Sequence, residues 1–393
     1  MFLEEARQEL CAITRENPVK VSADHIPALD GIRGFAALSI FLFHYAGGVH
    51  HFLGRLRYIA EPINYGWAAV SLFFVLSGYL ISGILWDSIG NGNWWRRFYW
   101  RRSLRIFPLY YLALLIAVGH TIALHGWRSI FPEVLPYFVY LQNVPTVYPT
   151  LSKFPDAQSL SHFWSLAVEE QFYLIWPFVL AWAYPRAGWA RNICLLIWVS
   201  SFAFRVGVSM TGSGHLWAIA FLAGRAGELS LGAYLALVVR DPIFKKRFFR
   251  WTPWVFGVSL LALISVTLGS GQTTVESGGM ETIGIAINAI LFASLIALSL
   301  RPGPIASVFQ MGWLRWLGRV SYGVYVYHIL LGSAFDWIAT HAFPGAGREL
   351  HFLVLLAVAA PGTLIAASFS YYCFELRFLR LRDYSGSMHS RLT

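Results

Sequence analysis

Two ionisable residues stand out, beyond the acid at its start, in one apolar stretch, Leu29 to Gly48, LDGIRGFAALSIFLFHYAGG, which is long enough to cross a bilayer. They are Arg33 and His44. On an α-helix, eleven steps of about 100° bring His44 back to within roughly 20° of Arg33, about 16 Å further along the axis. The two side chains then share one face at two depths. One use of such a pair is a line of polar chemistry running inward from one membrane surface, because charged groups within a bilayer usually face a bundle interior or a water-filled path. The plainer use is a snorkelling arginine near a helix end together with a core histidine whose hydrogen bonds are satisfied.

Other stretches carry comparable chemistry. WWRRFYWRRSLRIFPLYYL interleaves Arg96, Arg97, Arg101, Arg102 and Arg105 with aromatic rings and is closed by Pro108. It fits an interfacial anchor, with Trp and Tyr at headgroup level and Arg on anionic lipid. It also fits a binding surface for a polyanionic cytosolic ligand, since guanidinium groups match phosphate and stack on flat rings. SHFWSLAVEEQFYLIWP places Glu169 and Glu170 within an apolar span, with Glu169 two turns after His162 on the same face. Adjacent acids cannot face one direction, so one is expected to meet a cation of a neighbouring helix, such as Arg205, or Arg225 with Glu228. Arg225 and Glu228, three residues apart, can also pair within one helix. WLGRVSYGVYVYHIL aligns Gly318, Ser321, Tyr325 and His328 on one helical stripe. SLFFVLSGYLIS is read mainly as a packing face, its small residues Ser71, Ser77, Gly78, Ser82 and Gly83 allowing close helix approach. Asp87 and Asn91 follow near the inner surface, where they could support the arginine cluster.

The elements that must position these residues are membrane helices. Of 393 residues, 57% are hydrophobic, 17% aromatic and 13% charged, and the mean hydropathy is +0.55. Repeated apolar runs of about 20 residues predict an all-α polytopic membrane protein. Ten spans are expected, near 29–49, 65–86, 104–124, 162–184, 192–210, 216–239, 252–270, 280–300, 316–338 and 350–373. Cys11, Cys194 and Cys373 are scattered, without a CxxC pair, so neither a disulfide framework nor a metal site is indicated. The polar start MFLEEARQELCAITRENPVK has no signal-peptide core, and the first span is expected to be retained.

A net charge of +10 would suit a nucleic-acid partner, but its distribution argues otherwise. The segments on the side shared by both termini hold 22 Lys and Arg, and the opposite side holds 5. Arg33, Arg205 and Arg225 fall within spans. By the positive-inside rule both termini are cytoplasmic and the number of spans is even. The longest external segment, about 125–161, contains Pro132, Pro136, Pro145, Pro149 and Pro155 and lacks helical periodicity. Loops of that length are commonly lids or binding elements, so it is the candidate for contacting an extracytoplasmic acceptor.

Taken together, LDGIRGFAALSIFLFHY, FFVLSGYLIS, RRSLRIFPLYYL, WSLAVEEQFYLIWP and LGRVSYGVYVYHI, in this order from residue 29 to about 375, resemble the membrane-bound acyltransferase family 3. The resemblance implies transfer of an acyl group, most often acetyl, from cytoplasmic acyl-coenzyme A to a hydroxyl at or beyond the other face. Arg33 and His44 match the family's essential pair. His44 would serve as general base or transient acyl carrier, and Arg33 would hold the donor or its thioester arm. Arg102 and Arg105, in the matching RRSLR segment, would meet the donor's phosphates. Glu169 and Glu170 match WSLxxEEQFY, and Tyr322 and His328 match SYxxYxxH, with roles open between site architecture and proton relay. Histidine suits this work because its pKa near 6.5 lets it take a proton from an alcohol and return it to a thiolate. No serine or cysteine has the context of an activated nucleophile.

By the same resemblance, residues 1–28 form a cytoplasmic tail, 29–375 the transmembrane acyltransferase domain and 376–393 a basic cytoplasmic tail. The chain has the stand-alone form without a C-terminal soluble domain, in a bacterial inner membrane. Membrane lipids, acyl-CoA and a glycan acceptor are the expected partners, with no metal and no nucleic acid. Polysaccharide, oligosaccharide, lipid-linked sugar and secondary metabolite are all compatible acceptors. A secondary transporter would also explain intramembrane Arg, Glu and His, but its mark, matching halves, is missing: the Arg-x10-His face has no counterpart near 216–239. A lipid-binding scaffold would explain the arginine cluster but not the polar face of the first span.

Overall fold

The structure is a computed structural model that describes residues 26–46, 63–127, 133–212, 214–270, 275, 278–345 and 347–387. The predicted tail up to residue 25, the external loop with His50, His51, Arg55 and Arg57, and residues 388–393 lie outside them.

Among the described residues ten helices have 15 or more residues and no strand occurs. They are α1 (Pro27–Ala46), α2 (Ala69–Ser88), α3 (Trp94–His125), α4 (Trp164–Ala183), α5 (Ala187–Thr211), α6 (Leu222–Arg240), α7 (Pro242–Ser270), α8 (Ile285–Ser299), α9 (Gly312–Leu330) and α10 (Arg348–Phe369). Each corresponds to one predicted span. Seven helical segments are long and apolar enough to cross a membrane: Tyr65–Ser88, Trp94–His125, Ala187–Thr211, His215–Arg240, Pro242–Ser270, Met280–Ser299 and Arg348–Leu381. The long helices outside this set are α1, α4 and α9, whose mean hydropathy is reduced by the ionisable residues of interest: Arg33 and His44, Glu169 and Glu170, and His328 with its basic neighbours Arg315 and Arg319.

Two close helix pairs organise the bundle. α1 lies against α9, and α2 against α6. The second pair meets at Gly78 and Gly232, where an added Cβ would sit 1.9 Å from the carbonyl oxygens of Leu229 and Val75 respectively. Only a missing side chain permits that approach, which is how membrane helices gain packing without a hydrophobic driving force. The same pair is tied at one end by a bidentate bond from Arg240 to Asp87, 2.8 and 2.6 Å. Asp87 therefore does not support the arginine cluster of α3, as the sequence suggested, because a cation of its partner helix claims both carboxylate oxygens.

The arginine cluster begins α3 itself. This helix starts at Trp94, ten residues before the predicted span, and carries Pro108 in its interior. Arg102 and Arg105, three residues apart, therefore project from one face of a helix continuous with the membrane-crossing part. The chain after α10 also continues as a helix: a π segment, Ser370–Glu375, leads into Leu376–Ser387, which packs on α3.

The proline-rich segment expected to be irregular is a packed cap. It folds into the short turns Leu135–Phe138, Pro145–Val147, Tyr148–Leu151 and Gln158–Phe163. Tyr137, Leu151, Phe154 and Leu160 are buried in the main core. Gln142 donates to Tyr110 Oη at 3.1 Å and to the Phe163 carbonyl at 2.9 Å. Gln171 of α4 donates to the Tyr140 carbonyl at 2.7 Å. Periodicity was absent because successive prolines break each turn, while its aromatic residues still find a core.

Between α6 and α7, Asp241 accepts from Arg191 of α5 at 2.6 Å and from the backbone N–H groups of Ile243 and Phe244 at 3.0 and 3.3 Å. Partial burial opposes ionisation of Asp241, but the Arg191 bond and the two amides outweigh it and hold the carboxyl below its ordinary value of 3.8. A depressed folded-state pKa stabilises the protein above that ordinary value and loses its contribution as pH falls through the folded one. Asp241→Asn should therefore lose less stability than the wild type between pH 5 and about pH 3 in thermal unfolding followed in detergent.

Candidate active site

The site is built on the crossing of α1 and α9. A Cβ at Gly34 would lie 2.1 Å from the Leu314 carbonyl oxygen, and one at Gly318 would lie 1.8 Å from that of Asp30. The helices run parallel from this crossing, since Asp30 meets Gly318 and, further on, Tyr45 donates to the His328 carbonyl at 2.5 Å. Ten residues after Gly34 comes His44, and ten after Gly318 comes His328. Equal steps along two parallel helices bring the imidazoles together, with ring centroids 5.0 Å apart.

Their hydrogen bonds fix the tautomers. His328 Nδ1 lies 2.7 Å from the Tyr325 carbonyl and 3.1 Å from that of Val324, and both can only accept, so Nδ1 carries the proton. In the neutral ring Nε2 is then an acceptor, and it faces His44 Nδ1 at 3.3 Å. His44 Nδ1 is also 3.0 Å from the Ile40 carbonyl, so it too is the protonated nitrogen. The lone pair of His44 is thereby assigned to Nε2, on a side chain that is exposed. A base with one nitrogen held by neighbours and the other open is the arrangement that proton abstraction needs.

A third histidine joins them. His162, 5% exposed, places its ring 5.1 Å from His328 and 5.1 Å from Tyr325. Neither of its ring nitrogens meets a hydrogen-bond partner in good geometry among the described residues, the nearest being the backbone of Tyr325 and Val326. Its carbonyl accepts from Tyr325 Oη at 2.7 Å, and Tyr325 Oη meets Ser165 Oγ at 2.5 Å. Although three histidines meet here, no group of three or more His, Cys, Asp or Glu among the described residues has the geometry to hold a metal ion.

Below this cluster is an open cavity of about 840 Å³, its open mouth included, lined by Arg33, Arg102, Arg105, Glu169, Tyr322, Tyr173 and Ser77, and reaching Ser165 and Tyr325. Arg33 pairs with Asp30 at 2.7 Å. Arg102 lies over the Tyr173 ring, 5.4 Å from its centroid, and Tyr173 Oη is bonded to Ser77 Oγ. Glu169 is within electrostatic reach of both Arg102 and Arg105. Tyr322 donates to the Ile106 carbonyl of α3 at 2.8 Å, tying α9 to the arginine helix.

Of the residues singled out by sequence, Arg33, Arg102, Arg105, Glu169 and Tyr322 line this one cavity, and His44 and His328 form the second group. Arg33 and His44 occupy one helix face at two depths and do not touch. Glu170 stands apart: it does not line the cavity and instead neighbours Tyr140 and Tyr110, with Oε1 buried and unpartnered. The cation expected for this acidic pair from Arg205 or Arg225 is in fact Arg102. Arg225 is sealed in the core with Glu228 at 3.1 Å, and Arg205 donates to the Gly224 carbonyl at 2.6 Å and to Ser201 at 3.0 Å. The reason is register: α4 faces α3 at this level, while α6 supplies its own carboxylate.

Three residues were not assigned to the site by sequence. His162 had a signal, its position two turns before Glu169, but nothing pointed to the partner helix that completes the cluster. Ser165 is one hydroxyl among many. Glu375, buried at the π segment, accepts from Ser370 at 3.0 Å and lies within reach of Arg105. An added residue in a helical turn has no sequence signature.

The fold and site together define a helical membrane protein that brings an arginine-lined cavity up to a histidine cluster. The chain belongs to the acyltransferase family 3, whose acyltransferase domain matches residues 26–372. It is 31% identical over 382 residues to the putative peptidoglycan O-acetyltransferase YrhL of Bacillus subtilis, covering 89% of this chain and 54% of that protein. It is 26% identical to the peptidoglycan O-acetyltransferase OatA of Listeria monocytogenes, covering 79% and 50% respectively. With the O-acetyltransferase OatA of Staphylococcus aureus it shares 25% identity, covering 78% and 50%. The chain spans about half the length of these curated relatives. No solved structure is significantly similar to it.

The crossing can be tested directly. Gly318→Leu would drive a side chain into the Asp30 backbone and part α1 from α9. It should lower stability by about 1–3 kcal/mol and activity by far more than that loss of folded protein explains, measured as melting temperature beside turnover in detergent.

Proposed function

We propose that this protein is a membrane O-acyltransferase that moves an acyl group, acetyl in the simplest case, from acyl-CoA at the cytoplasmic face to a hydroxyl of a glycan presented at the other face. The observation that carries this reading is the connection between the arginine cavity and the histidine pair through Tyr325, which lines the cavity and contacts both His162 and His328. In this reading α1 to α10 all cross the membrane, both termini are cytoplasmic, and residues 29–375 form the catalytic domain in a bacterial inner membrane. The 22-to-5 distribution of basic residues supports that orientation.

Each residue then has a task. Arg102 and Arg105 meet the donor's phosphates, for which guanidinium geometry is suited. Arg33, fixed by Asp30, holds the donor arm nearer the base. His44 Nε2 takes the proton of the acceptor hydroxyl as its oxygen attacks the thioester carbonyl. The carbon–sulfur bond breaks when the tetrahedral intermediate collapses, and the same proton passes to the departing thiolate. His328 accepts from His44 Nδ1 throughout, so it orients the ring and stabilises the imidazolium that forms, as an acceptor behind a catalytic histidine does elsewhere. Direct transfer needs no nucleophilic side chain, and a transient acyl-His44 would use the same Nε2.

The names of the relatives favour a cell-wall glycan as acceptor. The packed cap supports the same class. A space of about 1000 Å³ lies between it and the short helix His215–Ile219, lined by Gln142, Asn143, Gln158, Ser161 and Trp164. The exposed amide of Gln158, the exposed hydroxyl of Ser161 and the indole of Trp164 are groups that bind sugars, and Ser161 directly precedes His162.

Turnover of acetyl-CoA by the protein in nanodiscs with a glycan acceptor tests this assignment. His44→Ala should lower the rate by about 10²–10⁴ with folding retained, whereas Arg102→Ala with Arg105→Ala should raise donor KM about tenfold or more and leave acceptor KM unchanged. A full rate in His44→Ala would remove the base assignment. The reverse pattern is expected at the cap. Gln158→Ala with Ser161→Ala, both exposed positions, should raise acceptor KM several-fold and leave donor KM at its wild-type value. A change in donor KM would overturn the acceptor role of this segment.

A further inference from the structure

A second concave feature lies apart from the arginine cavity and the histidines. It is a groove of about 1010 Å³ between α6, α7 and α8. Leu235, Val238, Phe248, Ile290 and Ala293 supply its walls. The aliphatic hydroxyls within it are already spent on their own helices, leaving the Tyr234 phenol as the one other hydroxyl of the lining: Thr252 donates to the Phe248 carbonyl at 2.9 Å, and Ser294 to those of Ile290 and Leu291 at 2.8 and 2.9 Å. All three helices belong to segments apolar enough to cross a membrane, so the groove opens where lipid chains run.

One end differs. Arg247, on the first turns of α7, lines the groove and is exposed. No hydrogen bond or ion pair with another described residue engages it, in contrast to Arg191 and Arg240, which are held by Asp241 and Asp87. Lys245, Lys246 and Arg250 add positive charge beside it. Trp251, 55% exposed, also lines the groove, at the level where indole rings favour the headgroup region. The nearest carboxylate in sequence, Asp241, is occupied by Arg191.

We propose that this groove is a binding site for one anionic phospholipid, with an acyl chain between α6, α7 and α8 and the headgroup phosphate on Arg247. Two independent properties select that ligand. The walls are predominantly apolar, which suits a hydrocarbon chain. The mouth offers a guanidinium without a counter-anion inside a basic cluster, which suits a phosphate carrying net negative charge. A zwitterionic lipid would bring its own cation into that cluster.

Native mass spectrometry of the full chain in mild detergent tests the assignment, with phosphatidylglycerol and phosphatidylcholine of identical chains titrated in turn. One phosphatidylglycerol should be retained more tightly than phosphatidylcholine, and Arg247→Gln should weaken its retention by about fivefold or more. Ala293→Trp, which fills the groove, should displace both lipids. Melting temperatures in lipid-free detergent establish that the variants are folded, and Arg247→Gln, at an exposed position, keeps the test decisive if Ala293→Trp does not fold. Equal retention of the two lipids by wild type, or unchanged retention in Arg247→Gln, would overturn the proposal.

Discussion

The close parallel crossing of α1 and α9 is the constraint on which the rest depends. Where Gly34 meets Leu314 and Gly318 meets Asp30, backbone touches backbone. In a bilayer such contact is the main source of helix association, because lipid chains are as apolar as the side chains they would replace. The crossing also sets a register. Ten residues beyond it, both helices have advanced by the same rise and nearly the same rotation, so His44 and His328 must face each other. A different spacing on either helix would leave two isolated imidazoles.

Intramembrane charge here is handled in two ways. Arg225 and Glu228 are closed off in the core, with side chains 2% and 0% exposed, and Ser71 bonds to both. A pair so buried contributes little net stability, but removing one partner would strand the other at a cost of about 3–5 kcal/mol. Arg33, Arg102 and Arg105 instead line a cavity, where solvent or a ligand can complete their hydrogen bonding. Sealed pairs hold helices in place, whereas cations left facing a space are available to bind.

The histidine cluster shows how backbone carbonyls can specify chemistry. Tyr325, Val324 and Ile40 offer only acceptors, and they decide which nitrogen of each ring is protonated. The unshared electron pair of His44 is then directed away from the core. Tyr325 and Ser165, bonded to each other, line the arginine cavity next to this cluster, so the helix that carries His328 also joins the two.

The sequence by itself determined the helical class, the position of all ten long helices and most of the polar residues that converge. Apolar runs of bilayer length and the Arg33-to-His44 spacing are local properties, readable from periodicity alone. It also marked Glu169, Tyr322 and His328, because ionisable or hydroxyl groups are conspicuous in apolar spans. Only the tertiary structure decided who meets whom. Asp87 goes to Arg240 and not to the α3 cluster; Glu169 goes to Arg102 and not to Arg205 or Arg225; Glu170 turns to a tyrosine cluster. The 133–161 segment is a packed cap and not an irregular loop, and His162 completes the cluster of His44 and His328. Each of these outcomes rests on the relative rotation and depth of two helices far apart in sequence, which glycine contacts set and which no periodicity within one helix can encode.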